Sequence, residues 1–262
     1  MKHLFAMIVL TLALGASQTA HAQAAQTEVT LTAPGGIRAA LEELIPAFEK
    51  KTGYKVKPTF GSGLGTKKQV IDGVPFDVPV IQPPITDVVK SGNVDTNSAI
   101  PLASVSVGLA VKHGAPHPAV LTTEGVKKLL LSAKSISFPD PAGGAGAGVS
   151  FEQTLKKLGI AQQVESKLIR SKGGAAAMEA VAKGDAEIGF TYMSEMDVPG
   201  IDPVGPLPAN ISPPTQLIGF LSEHPKNAAA AKALLKYLSS PQAAKVYKAH
   251  KMEPGRPGGS SL

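Results

Sequence analysis

Residues 28–60, EVTLTAPGGIRAALEELIPAFEKKTGYKVKPTF, decide the fold class. Glu28 to Thr32 alternates polar and apolar residues, the period of a strand. Ala33-Pro34-Gly35-Gly36 follows as a loop, and Ile37, Leu41, Leu44, Ile45 and Phe48 then recur at helical spacing. That helix is expected to stop at Gly53, with Lys50 and Lys51 in its last turn, where cations suit the negative end of the helix dipole. Tyr54 to Phe60 alternates again as a second strand. The loop Gly61-Ser62-Gly63, a helix carrying Val70 and Ile71, and a strand from Val78 to Ile81 complete β-α-β-α-β. This order argues for a parallel sheet with helices on its faces.

Working outward, the pattern restarts after Pro101. Val105 to Val111 reads as a strand, Thr123 to Leu131 as a short helix, and Ser135 to Phe138 as a strand ending in Pro139-Asp140-Pro141. Residues 142–148 are nearly all Gly and Ala and read as a loop, before a helix from Val149 to Leu158. Gly173-Gly174 opens a helix through Met178 and Val181, and Ile188, Phe190 and Tyr192 alternate in the strand after it. Two terminal helices are announced by Pro225 and Pro241 at their first turns. No unit of 20–50 residues repeats, which excludes solenoids.

The 262 residues, 43% hydrophobic and 18% charged, suffice for one large domain or two modest ones with real cores. The 27 Gly and 22 Pro imply many turns and do not suit a helical bundle. With no Cys, disulfides, zinc–thiolate sites, iron–sulfur clusters and thiol catalysis are excluded together. Lys2, the apolar run of residues 4–14 and Ala20-His21-Ala22 have the layout of a signal peptide spanning residues 1–22 and cut after Ala22. Its run is well short of the ~20 residues that span a bilayer. The expectation is a protein released to a periplasm-like compartment without a membrane anchor.

Net charge is +6, or +5 once Lys2 leaves with the leader, and the pI is about 9.4. A basic balance suits an anionic partner. Nucleic acid fits poorly, because the lysines are scattered and aromatics make up only 5%. A small anionic ligand fits better. Four Gly-rich loops, Gly35-Gly36, Gly61-Ser62-Gly63, Gly143 to Gly148 and Gly173-Gly174, each lie between a strand and a helix. A helix start offers free N–H groups and partial positive charge, and Gly lets an anion approach the backbone. Two such loops in each half suggest a cleft between two lobes. The spacing excludes a dinucleotide fingerprint, a P-loop and a serine-hydrolase elbow. His113 and His117, separated by Gly114 and Pro116, read as solvated loop residues, and no metal site is expected.

The stretch VTLTAPGGIRAALEELIPAFEKKTGYKVKPTFGSG resembles the start of the molybdate-binding protein family, a class of periplasmic solute-binding proteins. The resemblance continues through SFPDPAGGAGAG, GGAAAMEAVAKGDAEIGFTY and LLKYLSSPQAAKVYKAH, so it covers essentially the whole mature chain. It implies an α/β, two-lobed periplasmic binding protein type II fold, each lobe a mostly parallel sheet flanked by helices, with a ligand cleft between the lobes. It also implies a first lobe from residues 23–104, a second from 105–215, a return to the first over 216–252 and a flexible tail at 253–262. The crossings are expected near Ala103–Val107 and Pro214–Gly219.

Two serines of the family's first lobe match Gly36 and Gly63 here, with Ser62 one place before the latter. Second-lobe backbone groups match Ala147 and Gly174, and a tyrosine hydroxyl matches Tyr192. Gly at the serine positions removes hydroxyl donors and is expected to leave more room, favouring a larger, carboxylate-bearing ligand over molybdate. Such departures, with the length and layout, resemble the aconitate isomerase branch of this fold. That resemblance implies an isomerase that moves an allylic proton between trans- and cis-aconitate, with no metal or organic cofactor and a monomeric chain. Tyr192 and Glu195 are then the candidate proton-transfer residues, and Arg38 and Lys172 the candidate carboxylate clamps; both cations also read as solvated helix-end charges. The alternative is a receptor that delivers an oxyanion or a tricarboxylate to an ABC permease.

Overall fold

The computed structural model describes residues 27–255; the expected signal peptide at residues 1–22 and the tail from Arg256 lie outside them. The decisive stretch folds as its periodicity dictates. β1 (Glu28–Pro34) leads through a single 3-10 turn at Gly35–Ile37 into α1 (Arg38–Thr52), which buries Ala40, Leu41, Leu44, Ile45 and Phe48. Gly53 ends α1 with φ 79°, a left-handed conformation that costs Gly little. β2 (Lys55–Gly61) pairs parallel with β1 along its whole length, from Glu28 opposite Lys55 to Pro34 opposite Gly61. α2 (Gly63–Ile71) and the fully buried β3 (Val78–Ile81) complete the unit.

The remaining elements are α3 (Thr86–Lys90), β4 (Val94–Val105), β5 (Val107–Lys112), α4 (Thr123–Ser132), β6 (Ile136–Pro139), α5 (Gly146–Lys157) and α6 (Ala161–Val164). They continue with β7 (Leu168–Ser171), α7 (Gly174–Lys183), β8 (Ile188–Tyr192), β9 (Ile201–Pro206), β10 (Thr215–Ser222), α8 (Ala228–Leu238), α9 (Pro241–Ala249) and β11 (Glu253–Pro254). Two sheets result, ordered β11-β4-β10-β3-β1-β2 and β7-β6-β8-β5-β9. The chain leaves the first sheet after Val105, enters the second at Val107, and returns between Pro206 and Thr215.

The α/β class stands, but the sheets are mixed rather than mostly parallel. β2, β1 and β3 run parallel, as do β7, β6 and β8; β10, β4 and β11 in the first sheet and β5 and β9 in the second pair antiparallel. The antiparallel strands include those on either side of both crossings, β4, β5, β9 and β10, and three of them are hard to read locally. β9, IDPVGP, carries two Pro and a Gly, β4 contains Pro101, and β10 carries the buried run LIGF without alternation. Glu253 and Pro254, expected in the tail, instead pair with β4, and the Gly255 N–H donates to the Leu102 carbonyl at 2.8 Å.

Two helix starts also differ. α5 begins at Gly146, inside the stretch expected to be loop, because its tertiary packing outweighs the poor helix propensity of Gly. Gly148 permits that packing: a methyl group there would overlap the Pro139 carbonyl. α8 starts at Ala228, capped by the Asn227 side chain, rather than at Pro225; α9 does begin on Pro241, capped by Ser240. The buried Asp77 carboxylate ties β3 to its neighbours by accepting from the Thr30 N–H (2.7 Å), the Thr30 hydroxyl (2.8 Å) and the Lys226 N–H (2.6 Å). In the second lobe, Phe138, Phe151 and Phe190 form a buried aromatic cluster, Phe138 tilted against Phe151 at 5.1 Å and Phe190 stacked on it at 4.5 Å between centroids. Among the described residues, no helix is long and apolar enough to cross a membrane.

Candidate active site

Parallel strands present their carboxyl ends at one edge of a sheet, so the strand-to-helix turns gather there. Four such turns, two from each lobe, line one cavity of about 510 Å³. The first lobe supplies Gly35 and Gly36 before α1, Gly61, Ser62 and Gly63 at the start of α2, and Gln82 just past β3. The second supplies Asp140, Gly146 and Ala147 around the start of α5, Arg170 to Gly174 before and into α7, and Tyr192 and Glu195 at and beyond the end of β8.

The helix ends at this cavity differ from the others of similar length. α4, α8 and α9, whose residues do not line it, are capped by the side chains of Thr122, Asn227 and Ser240. α5, α7 and the 3-10 turn at Gly35–Ile37 ahead of α1 have no side-chain cap, so their first N–H groups remain available to a ligand, whereas the Arg38 N–H that opens α1 donates to the Gly35 carbonyl. α2 is the exception: the Ser62 hydroxyl caps it by accepting from the Gly65 N–H at 3.1 Å, which leaves the hydroxyl's own O–H to donate.

Of the residues singled out from the sequence, Gly36, Ser62, Gly63, Ala147, Lys172, Gly174, Tyr192 and Glu195 line the cavity. Arg38 does not, which corrects its reading as a clamp. It points along the outside of α1, with Nε 2.8 Å from Glu42 Oε1 one turn on and its guanidinium 5.2 Å from the Phe60 ring centroid. The guanidinium in the cavity wall belongs to Arg170, 3.0 Å from Glu165 Oε1 and over the Phe138 ring. Arg170 sits in β7, the strand that the sequence implied ahead of Gly173-Gly174 without bounds; the basic pair Arg170 and Lys172 was the available signal. Gln82 was missed as well, its one signal being a polar residue directly after the buried run VPVI. His113 is exposed as expected, and its Nδ1 also lies 2.8 Å from Asp202 Oδ1, outside the cavity lining.

Gly36 and Gly63 do not open extra room, contrary to the expectation. A methyl at Gly36 would stand 2.8 Å from Tyr192 Cδ2, and one at Gly63 would overlap Gln82 Oε1. The space has been taken by Tyr192 from the opposite lobe and by Gln82 from the same lobe as Gly63.

Two ionisable groups at the end of β8 behave differently. Tyr192 is buried, donates its hydroxyl to Thr215 Oγ1 at 3.1 Å, and loss of water pushes its phenol up to about 12. At neutral pH it is a hydrogen-bond donor, not a base. Glu195 is recessed in the cleft but partly exposed toward the cavity. Removal from water raises its carboxyl above the ordinary range, against the lowering effect of the Thr191 hydroxyl, which donates to Oε2 at 2.5 Å. Glu195 Oε2 also lies against Gly174, the first residue of α7, where a methyl would overlap it. The lobes touch across the cleft: the Ser194 hydroxyl donates to the Gly36 carbonyl at 2.7 Å, and the Leu64 N–H to the Gly144 carbonyl at 3.2 Å.

Comparison with known proteins agrees with this architecture. The chain is 34% identical over 261 residues to an aconitate isomerase of Pseudomonas sp, covering 93% of this chain and 96% of that protein. It is 32% identical over 252 residues to the molybdate-binding protein ModA of Azotobacter vinelandii, covering 94% of this chain and 97% of that protein. The solved periplasmic molybdate-binding protein of Azotobacter vinelandii superposes with a TM-score of 0.70 at 20% identity, over 86% of this chain and 98% of that one. The profile described as bacterial extracellular solute-binding protein matches residues 29–253, and the chain belongs to that family.

Proposed function

We propose that the protein is an isomerase that interconverts trans- and cis-aconitate by an allylic proton shift in the interlobe cleft. The observation that carries this reading is Glu195. A cavity built from uncapped helix N-termini with Arg170 and Lys172 is suited to a multiply charged anion. A receptor for that anion gains nothing from a carboxyl in its wall, which repels the ligand when ionised. A catalyst that must take a proton from carbon needs one. The 34% identity to an aconitate isomerase over nearly the full chain supports the same reading.

The chemistry follows from the positions. The N–H groups at the starts of α5 and α7 and in the 3-10 turn before α1, with Arg170 and Lys172, hold the three carboxylates. Ionised Glu195 removes a proton from the substrate methylene; the C–H bond breaks and its electron pair spreads over the allyl system and into the adjoining carboxylates. Helix N-termini and cations stabilise that developing charge. The proton then leaves Glu195 for the former vinyl carbon, and the double bond has moved by one position. The geometry of the new double bond is set by the conformation in which the former methylene arm is held, so no rotation about a double bond is required. A carboxyl held above its ordinary range is, once ionised, a better base than a free glutamate. The reading places the protein in the periplasm as a monomer that works without a metal or organic cofactor.

The test is turnover of trans-aconitate by the purified chain from Gln23 onward in chelator-treated buffer, with cis-aconitate followed by chromatography. Many turnovers per molecule support the isomerase. No turnover, with a melting temperature raised by citrate or molybdate, supports the receptor. That second reading, a solute-binding protein working with an ABC permease, is favoured by the fold and by the direct lobe-to-lobe hydrogen bonds, which closure around a ligand also requires.

Two variants check the assignments. Tyr192→Phe is expected to keep turnover within about tenfold of wild type, since it removes one hydroxyl bond worth about 1 kcal/mol and no base. A loss comparable to removal of Glu195 would contradict that role. Ser194→Ala deletes the 2.7 Å bond to the Gly36 carbonyl and is expected to raise KM for trans-aconitate by about 2–10-fold with kcat less affected.

A further inference from the structure

We infer that Gln82 determines the ligand class of the cleft: its amide oxygen occupies the place of an oxyanion oxygen between two helix N-termini, so that a compact tetrahedral oxyanion is excluded. The inference rests on the isomerase reading only for the ligand admitted instead, an extended polycarboxylate held at the α7 end.

Gln82 follows β3 directly and is 6% exposed. Its Oε1 lies so close to Gly63 and Gly146 that a methyl on either would overlap it, and a methyl on Gly146 would also stand 2.7 Å from the Tyr192 hydroxyl. Gly63 and Gly146 are the first residues of α2 and α5, which come from opposite lobes. One neutral acceptor oxygen therefore sits where the positive ends of two helices face each other, the position that physical chemistry would otherwise assign to an anion.

The same side chain divides the interior. Beyond the 510 Å³ cavity lies a second of about 520 Å³, lined by Lys67, Ser150, Gln153, Thr215 and Gln216 among others. Gln82, Tyr192, Gly63 and Gly146 belong to the walls of both. A tetrahedral dianion centred between α2 and α5 would need donors on every side and would meet the Gln82 oxygen, an acceptor. It would also meet the Tyr192 ring at Gly36. A chain-like polyanion can place its carboxylates toward α1, α7, Arg170 and Lys172 and leave the partition standing. Discrimination comes from what the wall refuses as much as from what it holds.

The experiment compares wild type, Gln82→Ala and Gln82→Asn by calorimetric titration with molybdate and with sulfate, alongside trans-aconitate turnover. Withdrawing the amide should give both variants at least tenfold tighter binding of one of these oxyanions than wild type. Gln82→Asn preserves the polar group and covers the case in which Gln82→Ala does not fold. Micromolar oxyanion binding by wild type, or a folded variant with unchanged oxyanion affinity, overturns the inference. The two readings fail separately. Oxyanion binding gained on mutation without wild-type turnover removes the isomerase and leaves Gln82 in its role; turnover with no gain removes only Gln82.

Discussion

Glu195→Gln is expected to lower kcat for trans-aconitate isomerisation by about 10²–10⁴-fold, the range for loss of a positioned general base. KM should change far less, because the amide keeps the size of the carboxyl and the helix N-termini still hold the ligand. The Thr191 hydroxyl, which donates to Oε2, retains an acceptor in the amide oxygen. The pH dependence gives an independent reading. In wild type, kcat/KM should rise with pH as Glu195 ionises, with its inflection above the ordinary glutamate value of 4.5, because removal from water disfavours the charged form. The variant should lack that limb. Stability runs the other way. A group whose folded pKa is raised contributes stability that is fully present below its unfolded pKa and is lost as pH rises through the folded one. Wild type should therefore lose stability relative to Glu195→Gln between pH 4.5 and the folded pKa of Glu195. Kinetics and chemical denaturation at several pH values would check both signs. Equal kcat in the two proteins would remove Glu195 from the chemistry.

Phe151→Ala should destabilise the protein by about 3–5 kcal/mol, the range for deletion of a buried aromatic ring. Phe151 is fully buried in α5 and sits between Phe138 of β6 and Phe190 of β8, with centroids 5.1 and 4.5 Å away. A collapsed aromatic cluster cannot refill that volume, because its neighbours are held by their strands. The expected fall in melting temperature is about 6–20 °C. The damage should reach the cleft, since the α5 N-terminus, with Gly146 and Ala147, lines it. A fall of less than about 3 °C would show that the cluster is not what positions α5.

Much of the site was legible because it is local chemistry. A Gly-rich turn between a strand and a helix needs only its own residues to be recognised, and all four turns meet at the cavity. Glu195 and Lys172 could be named as cavity residues because they lie three residues after Tyr192 and two before Gly174, both matched to the family. Arg38 failed for the opposite reason. Being one turn into the right helix does not say which face a side chain takes, and Glu42 at i+4 offered it a partner on the outer one.

The sequence by itself determined the α/β class, the β-α-β-α-β unit, the core face of α1, the glycine turns and the absence of every cysteine-based chemistry. These depend on periodicity and on conformations that a few adjacent residues impose. Only the tertiary structure decided the antiparallel direction of β4, β5, β9 and β10 around the two crossings, the presence of Arg170 rather than Arg38 in the cavity wall, and the filling of the Gly36 and Gly63 sites by Tyr192 and Gln82. Each of those depends on groups distant in sequence competing for one volume, and Gln82 shows it plainly. Nothing near it in the chain tells that its oxygen meets Gly63, 19 residues earlier, and Gly146, 64 residues later.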